Sequence, residues 1–89
     1  MDKSTEAFSA AKTNFVPTEA IAIKIAEAVV IGHDGAGFLQ KYLPLQVRSE
    51  GDHWIVWGSN KNPSLRGGGG PNVYINKKDG RIIKYHYSR

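Results

Sequence analysis

The chain has 89 residues and no cysteine, which excludes both a disulfide framework and a thiolate metal site. It also lacks a long apolar run. The most apolar stretch, Ala26 to Ile31, is interrupted by Glu27 and is far shorter than the ~20 residues a bilayer-crossing helix needs. The opening MDKSTEAFSAAKTNF has no apolar core of signal-peptide length, so no membrane partner is expected and cytoplasm is the expected compartment. Acidic residues are the minority, eight against twelve basic ones, for a net charge of +4. The two signs are interspersed along the chain, as on an ordinary solvated surface, and no nucleic-acid partner is expected. At this length the expectation is a single domain over residues 1–89, with a net stability of about 3–5 kcal/mol from one core. Such a molecule can offer a flat binding surface, whereas a deep cavity would compete with its core.

Catalytic and metal-binding constellations are missing as well. The three histidines, His33, His53 and His86, have no paired spacing suited to a metal, and His33-Asp34 reads as loop punctuation. His53 and His86 fall on one predicted face with Tyr74. No carboxylate within the strands is placed to orient either imidazole, since Asp52 sits at a turn and Asp79 at a loop tip. The glycine run Gly67 to Gly70 lacks the lysine and hydroxyl residue of a phosphate loop and precedes a strand instead of a helix. The chain is therefore read as a non-enzyme without cofactor or metal.

What is present divides into three parts. Residues 1–16 form an N-terminal segment or short helix with Phe8 as its anchor. Residues 17–43 hold the helices. Pro17-Thr18-Glu19 is a helix start, and at 100° per residue Ile21, Ala22, Ile25, Ala28 and Val29 form the stripe that should lie on the sheet. Ile23 and Val30 fall on the far side, to be covered by the N-terminal segment with Phe8 and Phe15. Gly32 to Gly37 breaks this helix, and Phe38 to Leu43 makes a short second one before Pro44.

Over residues 44–87 the apolar period changes to two, the mark of an antiparallel sheet. A turn at Glu50-Gly51 would place Ser49 opposite Asp52, Val47 opposite Trp54 and Leu45 opposite Val56. For the last hairpin, a three-residue Lys78-Asp79-Gly80 loop pairs Val73 with Tyr85 and Ile75 with Ile83, which keeps like with like, and it needs Gly80 at positive φ. Four consecutive glycines before Pro71 read as a loop, since each glycine loses the most backbone entropy on ordering.

Sorted by parity, Leu45, Val47, Trp54, Val56, Val73, Ile75, Ile83 and Tyr85 face the helix. The opposite face carries Gln46, Arg48, His53, Ile55, Trp57, Tyr74, Asn76, Ile82, Lys84 and His86. Aromatic groups mixed with cations are the composition of protein-binding surfaces. An apolar patch of this kind is seldom bare, so the face is read as a partner site, a homodimer seam, or a surface covered by the N-terminal segment.

The helix PTEAIAIKIAEAVVI, the strand GDHWIVWGS, the entry GGGGPNVYI and the hairpin NKKDGRIIKYHY together resemble the small bacterial immunity proteins with a nuclear-transport-factor-2-like fold, found beside polymorphic and contact-dependent toxins. The similarity spans Pro17 to Tyr87. It rests on Trp54, Val56, Gly58, Gly68, Gly69, Ile75, Asp79, Gly80 and Ile83, which read as framework. The resemblance implies a protein that binds a cognate toxin domain and blocks it, with no catalytic residues to carry over. For this short chain it implies an α+β fold with N-terminal helices packed on one face of a three- to four-stranded antiparallel sheet, a reduced cone. The expected contacts are Arg48, Trp57, Arg66, Tyr74, Lys84 and His86, against an acidic toxin surface. The competing readings are a PepSY-like peptidase-inhibitory or regulatory domain, which also ends in a strand, a KDG-like turn and a strand, and a small-ligand-binding protein of the same broad fold.

Overall fold

The structure, a computed structural model, describes residues 14–59 and 69–88. Helix α1 spans Glu19–Asp34 and helix α2 spans Ala36–Gln40. Four strands follow, β1 Gln46–Glu50, β2 His53–Trp57, β3 Pro71–Asn76 and β4 Ile82–Tyr87, in one antiparallel sheet of order β1-β2-β3-β4. The architecture is α+β, helices first and a four-stranded antiparallel sheet after them.

Thr18 begins α1. Its extended backbone and its hydroxyl, which accepts from the Ile21 N–H at 3.3 Å, satisfy one of the first-turn donors that a helix leaves open. Pro17 therefore precedes the cap instead of opening the first turn. The helix runs through Gly32 and stops only at Gly35, whose φ of +93° suits glycine and whose N–H donates to the Ile31 carbonyl at 2.9 Å. The break expected at Gly32 lies three residues later, because one glycine with helical φ does not end a helix.

The face that α1 buries also differs from expectation. Ala22, Ala26 and Val30 are fully buried, while Ile21 and Ile31 are 40% and 45% exposed and Ala28 is also exposed. The i, i+4, i+8 line of small side chains lets the helix approach Val56, Val73 and Ile75, with Ile23 on one side of the seam and Ile25 and Val29 on the other. Of the expected stripe, set by angle around Ile25, Ala22 is at the seam, and the buried line runs to one side of the rest, where small side chains permit close packing.

Between β1 and β2 the turn is Gly51-Asp52, with Gly51 at positive φ, so that Glu50 pairs with His53, Ser49 with Trp54 and Val47 with Val56. The expected register, with Val47 opposite Trp54 and Leu45 opposite Val56, is off by two residues. An even shift keeps every side chain on its face. Trp54, Val56, Val73 and Ile75 accordingly look toward α1, and Leu45 is buried just before β1.

The β3–β4 hairpin departs further. Asn76 pairs with Arg81 (N to O, 2.8 Å), and the loop holds four residues, Lys77 to Gly80. The Asn76 side-chain oxygen accepts from the Lys78 and Asp79 amides at 2.8 and 3.2 Å, while the Gly80 N–H donates to the Asn76 carbonyl at 2.9 Å. This Asn76-centred turn outweighs the shorter loop. Gly80 has φ +78°, as expected. A β-bulge absorbs the extra residue: Ile75 pairs with Ile82, Tyr74 with Lys84, and Val73 with Tyr85. Ile83 therefore does not pair with Ile75 and is 46% exposed, and Ile82 moves to Ile75's side of the sheet.

The N-terminal strap buries Val16, 1% exposed, while Phe15 is 64% exposed. Phe15 and Val16 donate their amides to the Lys78 and Lys77 carbonyls at 3.0 Å, and the Trp54 indole donates to the Val16 carbonyl at 2.8 Å. The expected anchor Phe8 lies outside the described residues.

At the other end of the sheet Gly58 donates to the Pro71 carbonyl at 3.0 Å, and a Cβ on Gly70 would collide with the Gly58 carbonyl. Gly70→Ala is expected to lower stability by about 1–3 kcal/mol, the range for overpacking. Gly32→Ala, in open space within α1, should raise it by about 0.5–1 kcal/mol. Urea midpoints of the two variants provide the measurement.

Candidate functional site

The sheet face turned away from α1 is an ordered grid, because antiparallel partners share a face. Across its middle run Arg48, Ile55, Tyr74 and Lys84, one from each strand. On one side lies the row Gln46, Trp57, Asn72 and His86, and on the other Glu50, His53 and Asn76. Five expected contact residues, Arg48, Trp57, Tyr74, Lys84 and His86, thus share one surface. Arg66, the sixth, lies outside the described residues, as do Gly67 and Gly68 of the glycine run. Ile82, assigned to this face by parity, is on the other one, since the bulge at Ile83 reverses the alternation before Lys84.

Ile55 is only 6% exposed although no helix of the described residues covers it. Its neighbours on the face carry long stems and rings, which bury it while their polar tips stay in water. Each cation leans on a ring. The Arg48 guanidinium lies 5.9 Å from the Trp57 ring centroid and the Lys84 ammonium 5.3 Å from that of Tyr74. Contacts of this kind contribute about 0.5–1 kcal/mol at exposed sites and hold a flexible cation in place. Arg48 also meets Glu50 at 3.1 Å, an exposed pair of small energetic weight.

A column of rings crosses the grid at an angle to these rows. His53 stacks on Tyr74 at 5.8 Å between centroids, and Tyr74 meets His86 at 5.7 Å. The His86 Nε2 is buried without a hydrogen-bond partner among the described residues. Contrary to the sequence reading, a carboxylate does reach one imidazole: Asp52 Oδ1 lies 3.2 Å from His53 Nδ1. That hydrogen bond holds the Asp52 carboxyl below its ordinary pKa. Asp52 is 90% exposed, so water solvates it and the pair is not a buried acid–base dyad.

A second polar cluster lies on the α1 side, and the sequence reading missed it. Asp34, taken as loop punctuation, is the last residue of α1 and accepts from the Tyr85 hydroxyl at 2.6 Å and from the Tyr87 hydroxyl at 2.8 Å. His33 Nδ1 is 3.1 Å from the same carboxylate, and the His33 and Tyr85 rings lie 4.5 Å apart. A carboxylate at a helix C-terminus is disfavoured by the helix dipole. Here three side chains compensate it and tie β4 to the end of α1. The Tyr85 hydrogen bond, with help from Tyr87 and His33, holds the Asp34 carboxyl below its usual range against an opposing effect of burial. Burial and then Asp34 push the Tyr85 phenol up, and Asp34 and then burial raise that of Tyr87. The i, i+2 spacing of Tyr85 and Tyr87 was the available signal, since it places both on one side of β4.

Among the described residues no helix is long and apolar enough to cross a membrane. A family model described as NTF2 fold immunity protein matches residues 21–89. No curated protein and no solved structure matches the chain.

The Asp34 cluster sets a pH dependence. A carboxyl whose folded pKa is depressed contributes stability that is complete above its unfolded value, about 3.9, and is lost as pH falls through the folded value. Asp34→Asn should lower the urea midpoint at pH 7, and its difference from the parent chain should shrink as pH falls below the ordinary carboxyl range and the Asp34 carboxylate takes up its proton. In the parent, ultraviolet titration should find two tyrosines ionising above the ordinary value near 10, and Asp34→Asn should bring both back toward it.

Proposed function

The chain belongs to the NTF2 fold immunity protein family, and we propose that it binds a cognate bacterial toxin domain in the cytoplasm and neutralises it by stoichiometric occlusion. The observation that carries this reading is the grid of Arg48, Trp57, Tyr74 and Lys84, a solvent-facing sheet surface with rings at its centre and cations held on those rings. Pre-positioned aromatic and cationic side chains are the groups that dominate binding energy when an interface closes over them, because little rotamer freedom is left to lose.

Lys84 has no acidic neighbour in its row, and Arg48 has only Glu50. The toxin surface that fits is therefore acidic, with carboxylates to meet the two cations and apolar area to cover Trp57 and Tyr74. A stable complex buries about 800 Å² on each partner, an area that a face of this kind can supply. The inferred role involves no turnover, and in it His53, stacked on Tyr74, and His86, tilted against the same ring, serve as contact surface. The system to which the pair belongs is inferred to be a polymorphic or contact-dependent toxin locus in a bacterium.

Co-expression with the toxin encoded beside this gene tests the reading. The parent chain should restore growth and form a one-to-one complex. Trp57→Ala combined with Lys84→Glu should weaken that complex by about 30-fold or more, the effect of losing one central contact of about 2 kcal/mol, while the far-ultraviolet circular dichroism spectrum stays unchanged. Full protection by the double variant would move the site off this face. A parent chain that neither binds nor protects would remove the function.

A further inference from the structure

The two edges of the sheet are not alike. The β1 edge, Gln46–Glu50, is covered by α1 on one side, presents no large exposed apolar side chain, and carries one cation and one anion that pair with each other, Arg48 and Glu50. These are the devices by which proteins keep an edge from accepting another strand. The β4 edge is less protected. α1 does not lie over it and meets it only through side chains at the helix end, Ile82 and Ile83 are 37% and 46% exposed, and it carries Lys84 and, just before the strand, Arg81, which meets Asp79 at 3.6 Å, with no acidic residue between Gly80 and Ser88.

Its backbone also has no further strand beside it among the described residues. The Ser88 N–H donates to the Gly70 carbonyl at 2.9 Å. In an antiparallel ladder every second residue bonds to the neighbouring strand, so His86 and Lys84 face β3, and Tyr85 and Tyr87 turn their N–H and C=O outward. The bulge at Ile83 lies near the turn, and the register is regular from Lys84 to Tyr87. The hydroxyls of the same two tyrosines are fixed on Asp34, so this stretch is already ordered before anything binds.

We propose that the β4 edge is a second contact for the partner and accepts an extended, acidic segment of the toxin as a fifth strand. Main-chain bonds to Tyr85 and Tyr87 supply the docking, carboxylates meet Lys84 and Arg81, and apolar side chains of the added strand cover Ile82 and Ile83. The added strand continues the grid, since Lys84 and His86 belong to both. A second copy of this chain fits less well, because its own β4 carries the same Lys84 and has no carboxylate to offer it. The proposal rests on the reading of the chain as a toxin-binding protein.

Amide hydrogen exchange followed by NMR tests it on the full chain, with three additions: the toxin domain, the synthetic hexapeptide Glu-Val-Glu-Val-Glu-Val, and its Lys-Val counterpart. The Tyr85 and Tyr87 amides should exchange rapidly in the free chain. The acidic peptide and the toxin should each slow them by at least tenfold, and the lysine peptide should leave them unchanged. If the toxin binds and these two amides exchange as in the free chain, the edge proposal fails and the immunity reading stands. If both peptides protect equally, the acidic specificity fails. If protection rises with the concentration of the chain alone, a second copy is the occupant and the proposal fails. If the toxin does not bind at all, the immunity reading fails and the edge proposal with it.

Discussion

Among the described residues a single helix, α1, lies on the four-stranded sheet. A helix with its side chains is about 10 Å across, whereas four strands spaced about 4.8 Å apart span some 14 Å between their outer axes. The shortfall decides the rest of the molecule. Helix α1 lies over β1, β2 and β3 and leaves β4 outside. What β4 lacks in apolar cover it recovers through polar ties, the hydroxyls of Tyr85 and Tyr87 on the Asp34 carboxylate at the end of the helix. The sheet's other side has no second layer among the described residues and buries only Ile55, beneath its own neighbours.

The seam itself shows why composition misled the sequence reading. Eight of the residues from Ile21 to Val30 are aliphatic enough to serve as a contact, and apolarity alone ranks isoleucine above alanine. Distance ranks them the other way. With Ala22 and Ala26 in the line, the helix sits low enough for Val30 to vanish against the sheet, and the isoleucines become flanking wedges or remain in water. Period and parity were legible, because alternation on β2 and β3 is unambiguous and an even slip between β1 and β2 leaves faces unchanged. Ile82 and Ile83 were not legible. Their sides depend on whether the Asn76 side chain closes a four-residue turn, a local hydrogen-bond choice that the apolar pattern does not encode. Arg48, Trp57 and Tyr74 were placed by parity alone, whereas Lys84 and His86 keep their expected face because the bulge at Ile83 offsets the extra loop residue. Asp34 was missed because its partners are 51 and 53 residues away in the chain.

The outward face illustrates a balance between solubility and stickiness. Trp57 and Tyr74 would form an exposed aromatic patch on their own, and such patches invite indiscriminate association. Arg48 and Lys84 lie across the rings, so charged tips stand beside the aromatic area and keep it in contact with water.

The contact between Gly58 and Gly70 has a consequence for how this chain can vary. The chain leaves β2 and re-enters β3 through two glycines that touch each other and the side chain of Tyr42, with the Gly58–Pro71 hydrogen bond closing the gap. Residues 59–69 thus depart from and return to a single point, beside the row that holds Trp57. The ring-closure cost of such an excursion grows only as the logarithm of its length, so additions or losses there need not disturb strand pairing. The segment between the two glycines can thus change in length while the framework at its two ends stays the same.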